Sequence, residues 1–333
     1  MITDASYPSL AAAGCAVAVI LFAAGLRRRH LKPVYALPLT AAGLLAAFIA
    51  GKLFWIIFNL PQLSLEGPVC LVRLIPAEFS FTGGLAGLSL GIALTARLLK
   101  LPVPDVLDGY AVPCCIFAAF IRFAEIFAGD LGLGEMATFG LEEISEGSLL
   151  AFFPLAVRDS WGEWLPALST LEALCALITG AAVLRRGTSA ARGKIRFAAG
   201  SLFEFALFYL CLCGFFFETA KLSGVIFYYV HVEQLLCALV LLGLLIHICS
   251  GRSRREERLP WLPVVLFLLC VALNGLSQFF LDKPWLFSGL IPEAIFTWLT
   301  DRLELFCSTV MLLTTVCIGV LYLLAFRKAV SDS

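Results

Sequence analysis

The sequence predicts an all-α polytopic membrane protein, and three observations carry that prediction. Of the 333 residues 61% are hydrophobic and only 14% are charged, with a mean hydropathy of +0.95, a balance that soluble globular domains do not reach. Nine apolar runs approach or exceed the roughly 20 residues that a helix needs to span a bilayer. Lysine plus arginine and aspartate plus glutamate each number 24, yet the basic residues gather in alternate connections between the runs. A neutral chain of this kind argues against a nucleic-acid partner.

The runs fall near residues 9–26, 35–58, 79–99, 106–128, 165–184, 197–219, 229–249, 261–281 and 304–326. Met1 to Ser9 carries no positive charge, and Arg27, Arg28 and Arg29 follow the first run rather than precede it. That order is the reverse of a cleavable signal, so the first helix is expected to stay with its N-terminus outside. Basic clusters then mark the cytoplasmic side: Arg27 to Lys32, Arg97 with Lys100, Arg185 to Arg196, Arg252 to Arg258, and Arg327 with Lys328. Arg73, Arg158, Lys221, Lys283 and Arg302 are external, while Lys52 and Arg122 lie inside helices 2 and 4. The expected topology has the N-terminus outside and the C-terminus in the cytoplasm.

The external connection 130–164 is acidic (Asp130, Glu135, Glu142, Glu143, Glu146, Asp159, Glu163) but also carries Phe139, Phe152, Phe153, Trp161 and Trp164. This mixture predicts an ordered cap. Residues 284–303 form a second external, aromatic-rich loop, expected to lie at the membrane interface. Eleven of the 12 cysteines sit in apolar runs, Cys70 being the exception. They read as small packing residues, and none has the spacing of a metal site.

Charged groups within a span are costly and therefore informative. Helix direction brings Lys52, Arg122, Glu125 and Glu218 to one layer near the outer surface, with Glu172 and Glu233 in the first turns of helices 5 and 7; only Glu204 falls towards the inner side. Gly83, Gly84 and Gly87 open helix 3 at the same level, allowing close approach of a neighbouring helix or of a ligand. Two chemistries fit this layer: a phosphate site, with the Arg122 fork giving bidentate contact, or an ion-pair network joining Arg122 to Asp130 or Glu218. A transporter would place such groups nearer the midplane. His231 stands at the outer end of helix 7, where an interface histidine is the ordinary reading.

These segments resemble the prolipoprotein diacylglyceryl transferases of bacteria. Residues 50–59, AGKLFWIIFN, are similar to that family's GGRxGYVLFYN with Lys52 in place of arginine. FSFTGGLAG resembles its SFHGGLxG with Thr82 in place of histidine, and IRFAEIFAGD resembles GRIGNFINGE, with Arg122 matching, Glu125 replacing asparagine and Asp130 replacing glutamate. GFFFETAK is similar to RxxxExxR: Glu218 matches, Lys221 replaces the second arginine and Gly214 the first. Gln234 matches the glutamine of a segment ending MGQ.

The resemblance spans roughly residues 35–250. It implies a core of seven helices in residues 1–250, including the cap 130–164, followed by a hairpin extension, 251–333, in a protein of the bacterial cell (inner) membrane. It implies transfer of the diacylglyceryl group of phosphatidylglycerol to the thiol of an exported prolipoprotein, with no cofactor or metal. Arg122, Glu218 and Asp130 would be catalytic, and Lys52, Thr82, Gly83, Gly84, Glu125, Lys221 and Gln234 would bind substrate. Prolipoprotein signal peptides would be partners. Thr82 cannot serve as a base near neutral pH, so a lipid-binding or chaperoning protein on the same scaffold is the alternative.

Overall fold

The computed structural model describes residues 6–60, 75–128, 147–158, 162–191, 198–221, 226–227, 230–256, 261–287 and 302–331, with Arg73, Leu133, Ile144, Pro292, Phe296 and Thr297. Among these residues, nine long apolar helices account for nearly all of the architecture. They are α1 (Ser6–Arg28), α2 (Ala36–Phe58), α3 (Phe81–Leu98), α4 (Val103–Glu125), α5 (Leu168–Ala191), α6 (Ser201–Phe217), α7 (Val232–Glu256), α8 (Trp261–Asp282) and α9 (Leu303–Ser331). Each is long enough and apolar enough to cross a membrane. The protein is thus an all-α polytopic membrane protein, with helix starts and ends shifted by a few residues from those read in the sequence.

Small residues decide which helices touch. A Cβ built on Gly87 would stand 2.4 Å from the carbonyl oxygen of Ala46, and one on Gly91 would stand 2.7 Å from the Ala46 methyl. Gly83 is closed off by Phe54, 2.9 Å from where its Cβ would be. The glycine strip of α3 therefore serves packing against α2, and only Gly84, whose nearest neighbour would be 3.7 Å away, keeps open space beside it. The crossing of α1 and α4 is tighter still, with Gly25 against the carbonyl of Gly109.

A second buried charge, Asp108, stands near the opposite end of α4 from Arg122. It lies in the second turn of α4, its side chain fully buried, 3.0 Å from Arg29. Its carboxylate accepts from the backbone N–H groups of Gly200 (3.0 Å), Leu202 (2.9 Å) and Phe203 (3.1 Å). Gly200 is the N-cap of α6 and has no side chain to cap with, so Asp108 satisfies the orphan amides from across the bundle. An aspartate in the first turns of an apolar run does not disclose this in sequence, because its partner is 92 residues away.

The extension α8–α9 packs into the bundle. Tyr322 stacks on Phe208 with ring centroids 3.6 Å apart, and Ile318, Tyr322 and Phe326 belong to the same buried core as α4 and α6. Above α4, a short antiparallel ribbon of β1 (Ala156–Arg158) and β2 (Trp164–Pro166) carries the described part of the cap. Phe153 contacts Phe123 and Phe127 edge-on. Glu135, Glu142, Glu143, Glu146 and Asp159 of the cap lie outside the described residues, as does Cys70. A second ribbon, β3 (Ile226–Phe227) with β4 (Val230–His231), leads into α7.

Candidate active site

The site is built at the end of α4 where Arg122 and Glu125 are one turn apart. Nη1 of Arg122 donates to both carboxylate oxygens of Glu125, at 2.8 and 3.1 Å, and its Nε lies 3.1 Å from Oε2 of Glu172 on α5. The guanidinium sits 3.8 Å above the ring of Phe81. Directly after α6, Lys221 places Nζ 2.9 Å from the same Glu172 oxygen, 3.2 Å from Glu218 and 3.9 Å from Glu125. All five side chains are more than nine-tenths buried. Two cations and three carboxylates thus share one poorly hydrated layer, where each group depends on the others for its charge.

The positions expected from sequence separate into three places. Arg122, Glu125, Glu218 and Lys221 come together in this network, and Glu172, not foreseen as a site residue, is its hub. A glutamate in the first turns of a helix reads as an ordinary placement near the helix N-terminus, which hid its role. Lys52 belongs elsewhere: its Nζ is 2.7 Å from Glu78 and 3.1 Å from the carbonyl of Arg73, beneath the Trp55 ring at 4.6 Å. No contact among the described residues joins it to Arg122. Asp130, and with it the pairing of Arg122 with Asp130, lies outside the described residues; the ion pair that Glu218 makes among them is with Lys221, at 3.2 Å.

The third place is where Thr82 and Gly214 meet α7. The backbone N–H of Thr82 donates to Glu233 at 3.0 Å, and its hydroxyl lies 3.3 Å from the Cys237 sulfur. A Cβ on Gly214 would stand 3.0 Å from that same sulfur. Cys237 therefore occupies the space between the two positions at which the resemblance leads one to expect histidine and arginine. Gln234, one turn before Cys237, donates Nε2 to Asn274 of α8 at 3.0 Å.

Beside the network, α1 to α4 line a half-open cavity of about 450 Å³, within the range of small-molecule sites. Its wall is almost wholly apolar (Leu44, Phe48, Phe79, Leu88, Phe117 and Ile121 among others), with Gly84 as the open patch and Tyr7, Ser80 and Glu125 as polar positions. Of the site residues expected from sequence, Gly84 and Glu125 line it. An apolar chamber that ends at a carboxylate holding an arginine can receive an amphiphile with its polar end at Arg122.

Lys221 and His231 lie just outside the spans, and their environments act in opposite directions. Burial and the nearby Arg122 disfavour the Lys221 charge, but Glu172, Glu218 and Glu125 outweigh them and hold its pKa above the ordinary lysine value. Burial pushes His231 below its usual 6.5, partly offset by Glu218 and reinforced by Lys221, and its Nδ1 has no hydrogen-bond partner among the described residues. The histidine is thus neutral in the folded protein over a range where the unfolded chain would bind a proton. Stability is expected to fall as pH drops below about 6.5, read as a declining melting temperature in detergent. In His231→Gln that part of the slope should vanish; an unchanged slope would place the titration elsewhere.

The sequence profile of the prolipoprotein diacylglyceryl transferases matches residues 4–249, well over half of the chain, from the start of α1 into the last turns of α7. No curated protein matches it significantly. The profile covers the seven helices that hold Arg122, Glu125, Glu172, Glu218 and Lys221 and ends before α8 and α9. The chain belongs to the prolipoprotein diacylglyceryl transferase family.

Proposed function

We propose that this chain transfers the diacylglyceryl group of phosphatidylglycerol to an acceptor thiol on an exported protein segment. The observation that carries the reading is the apolar cavity ending at Glu125, which in turn holds Arg122. The acyl chains occupy the cavity, and the headgroup phosphate takes the place of Glu125 on the guanidinium fork. Glu172 and Glu218 keep Arg122 and Lys221 in place during that exchange. In the reaction the thiol sulfur forms a bond to the terminal glycerol carbon of the diacylglyceryl group, and the bond from that carbon to the phosphate oxygen breaks. Glycerol phosphate leaves with its developing charge facing Arg122. His231, neutral and with Nδ1 unpartnered among the described residues, receives the thiol proton, the role that Thr82 cannot fill.

In this reading the Arg122 end of the bundle faces outward in a bacterial inner membrane, because the basic clusters at Arg27 to Lys32 and Arg252 to Arg258 retain their ends in the cytoplasm. The alternative, a lipid-binding protein that no longer catalyses, is favoured by Cys237 filling the junction of Thr82 and Gly214. The test is purified protein in nanodiscs with phosphatidylglycerol and a lipobox peptide, the thioether product read by mass spectrometry. Product formation that is abolished in Arg122→Ala supports the enzyme. Lipid binding without product supports the alternative, and absence of both sinks the proposal. Restoring Thr82→His with Gly214→Arg is expected to need Cys237→Ala as well, since any side chain at 214 meets that sulfur first.

A further inference from the structure

Helices α8 and α9 lie beyond the matched family region, yet they bring a buried polar chain to the turn of α7 that faces Thr82 and Gly214. Asn274, 1% exposed, accepts on Oδ1 from Nε2 of Gln234 and from Nε2 of Gln278, both at 3.0 Å. Its own Nδ2 faces the hydroxyl of Thr314 at 3.3 Å and the carbonyl of Met311 at 3.5 Å. The directions of these bonds are fixed by chemistry. A backbone carbonyl can only accept, and the Thr314 hydroxyl already donates its hydrogen to Met311 at 2.9 Å, so both must face an amide nitrogen. Asn274 is thereby oriented with its oxygen towards α7, and Gln234 must answer with its nitrogen. The carbonyl oxygen of Gln234 is left buried and, among the described residues, without a hydrogen-bond partner, at a cost that a protein does not ordinarily carry without use.

We propose that Asn274 is a positioning residue through which the α8–α9 extension completes the site: it holds Gln234 so that its Oε1 is offered as an acceptor to a hydrogen-bond donor on the substrate. Gln234 is one turn before Cys237, which touches Thr82, so it stands on α7 one turn from the Thr82 and Gly214 junction. The donor is an O–H or S–H group, supplied either by the glycerol headgroup of the lipid or by the acceptor thiol. The proposal rests on the lipid reading above and names what that site selects for.

The test uses the full chain in detergent, titrated with short-chain phosphatidylglycerol and with phosphatidic acid, which has the phosphate but no headgroup hydroxyl. Wild type is expected to prefer phosphatidylglycerol. Gln234→Leu and Asn274→Leu should each weaken it by about five- to tenfold, the worth of one buried hydrogen bond, and leave phosphatidic acid unchanged. Asn274→Asp, which in its protonated form still accepts from both amides and donates to Met311, should retain most of the preference. A thiol peptide forms the second arm: a loss in both Leu variants confined to the peptide also supports the positioning role and assigns the donor to the thiol. Equal effects on both lipids with none specific to the peptide, or loss in Gln234→Leu but not in Asn274→Leu, overturns the proposal while leaving the lipid site standing. If wild type binds neither lipid, the underlying functional reading fails and the inference with it.

Discussion

Arg122→Ala is expected to destabilise the protein by about 3 to 5 kcal/mol, the usual consequence of removing one partner from a buried ionic cluster. The loss leaves Glu125, Glu172 and Glu218 facing Lys221 alone, 2.9 Å from Glu172 and 3.9 Å from Glu125, in a layer that water barely reaches. Arg122→Lys should recover only part, because Nη1 of the arginine donates to Glu125 while its Nε lies 3.1 Å from Glu172, and one ammonium cannot occupy both places. Pairing Arg122→Met with Glu125→Gln should return much of the stability, since it removes charge and countercharge together. Melting in detergent measures this, and lipid titration on the same samples separates the structural role from the binding one. If the double variant is stable yet no longer distinguishes anionic from zwitterionic lipid, Arg122 serves both. If it is stable and lipid selection is intact, Arg122 is an ion-pair partner only.

Asp108→Ala should cost a comparable amount for a different reason. Three backbone N–H groups at the start of α6 lose their acceptor, and Arg29 loses its fully buried partner. Each buried amide left unsatisfied is worth roughly 1 to 3 kcal/mol, so a total of about 3 to 5 kcal/mol is expected even if water reaches one of them. Asp108→Asn should fall between, keeping one acceptor oxygen but presenting an amide nitrogen to Gly200 or Arg29. The readout is thermal stability, together with proteolysis near residues 192–200 as α6 loses its anchored start. A variant as stable as wild type would show that Gly200 and Leu202 find other acceptors.

The membrane class, the nine helices and the polar character of the layer around Arg122 were determined by the sequence alone. Each rests on a local property: the length of an apolar run, a charge inside one, or a basic cluster beside one. The family was also legible, because short motifs keep their order even where individual residues change. What the sequence could not determine is partnership. Glu172 looked like any glutamate near a helix start until the fold set it between Arg122 and Lys221; Lys52, at the right depth, proved to be paired with Glu78. Gly83 and Gly87 could have faced a ligand or a helix, and α2 settled that: the Phe54 side chain stands 2.9 Å from where a side chain on Gly83 would start, and the Ala46 carbonyl oxygen 2.4 Å from where one on Gly87 would. Asp108 and Asn274 take their meaning from partners 92 and 40 residues away. In a bilayer hydrophobicity selects which segments cross but does not tell one apolar helix from another, so small residues and buried hydrogen bonds choose the neighbours, and those choices exist only once the chain is folded.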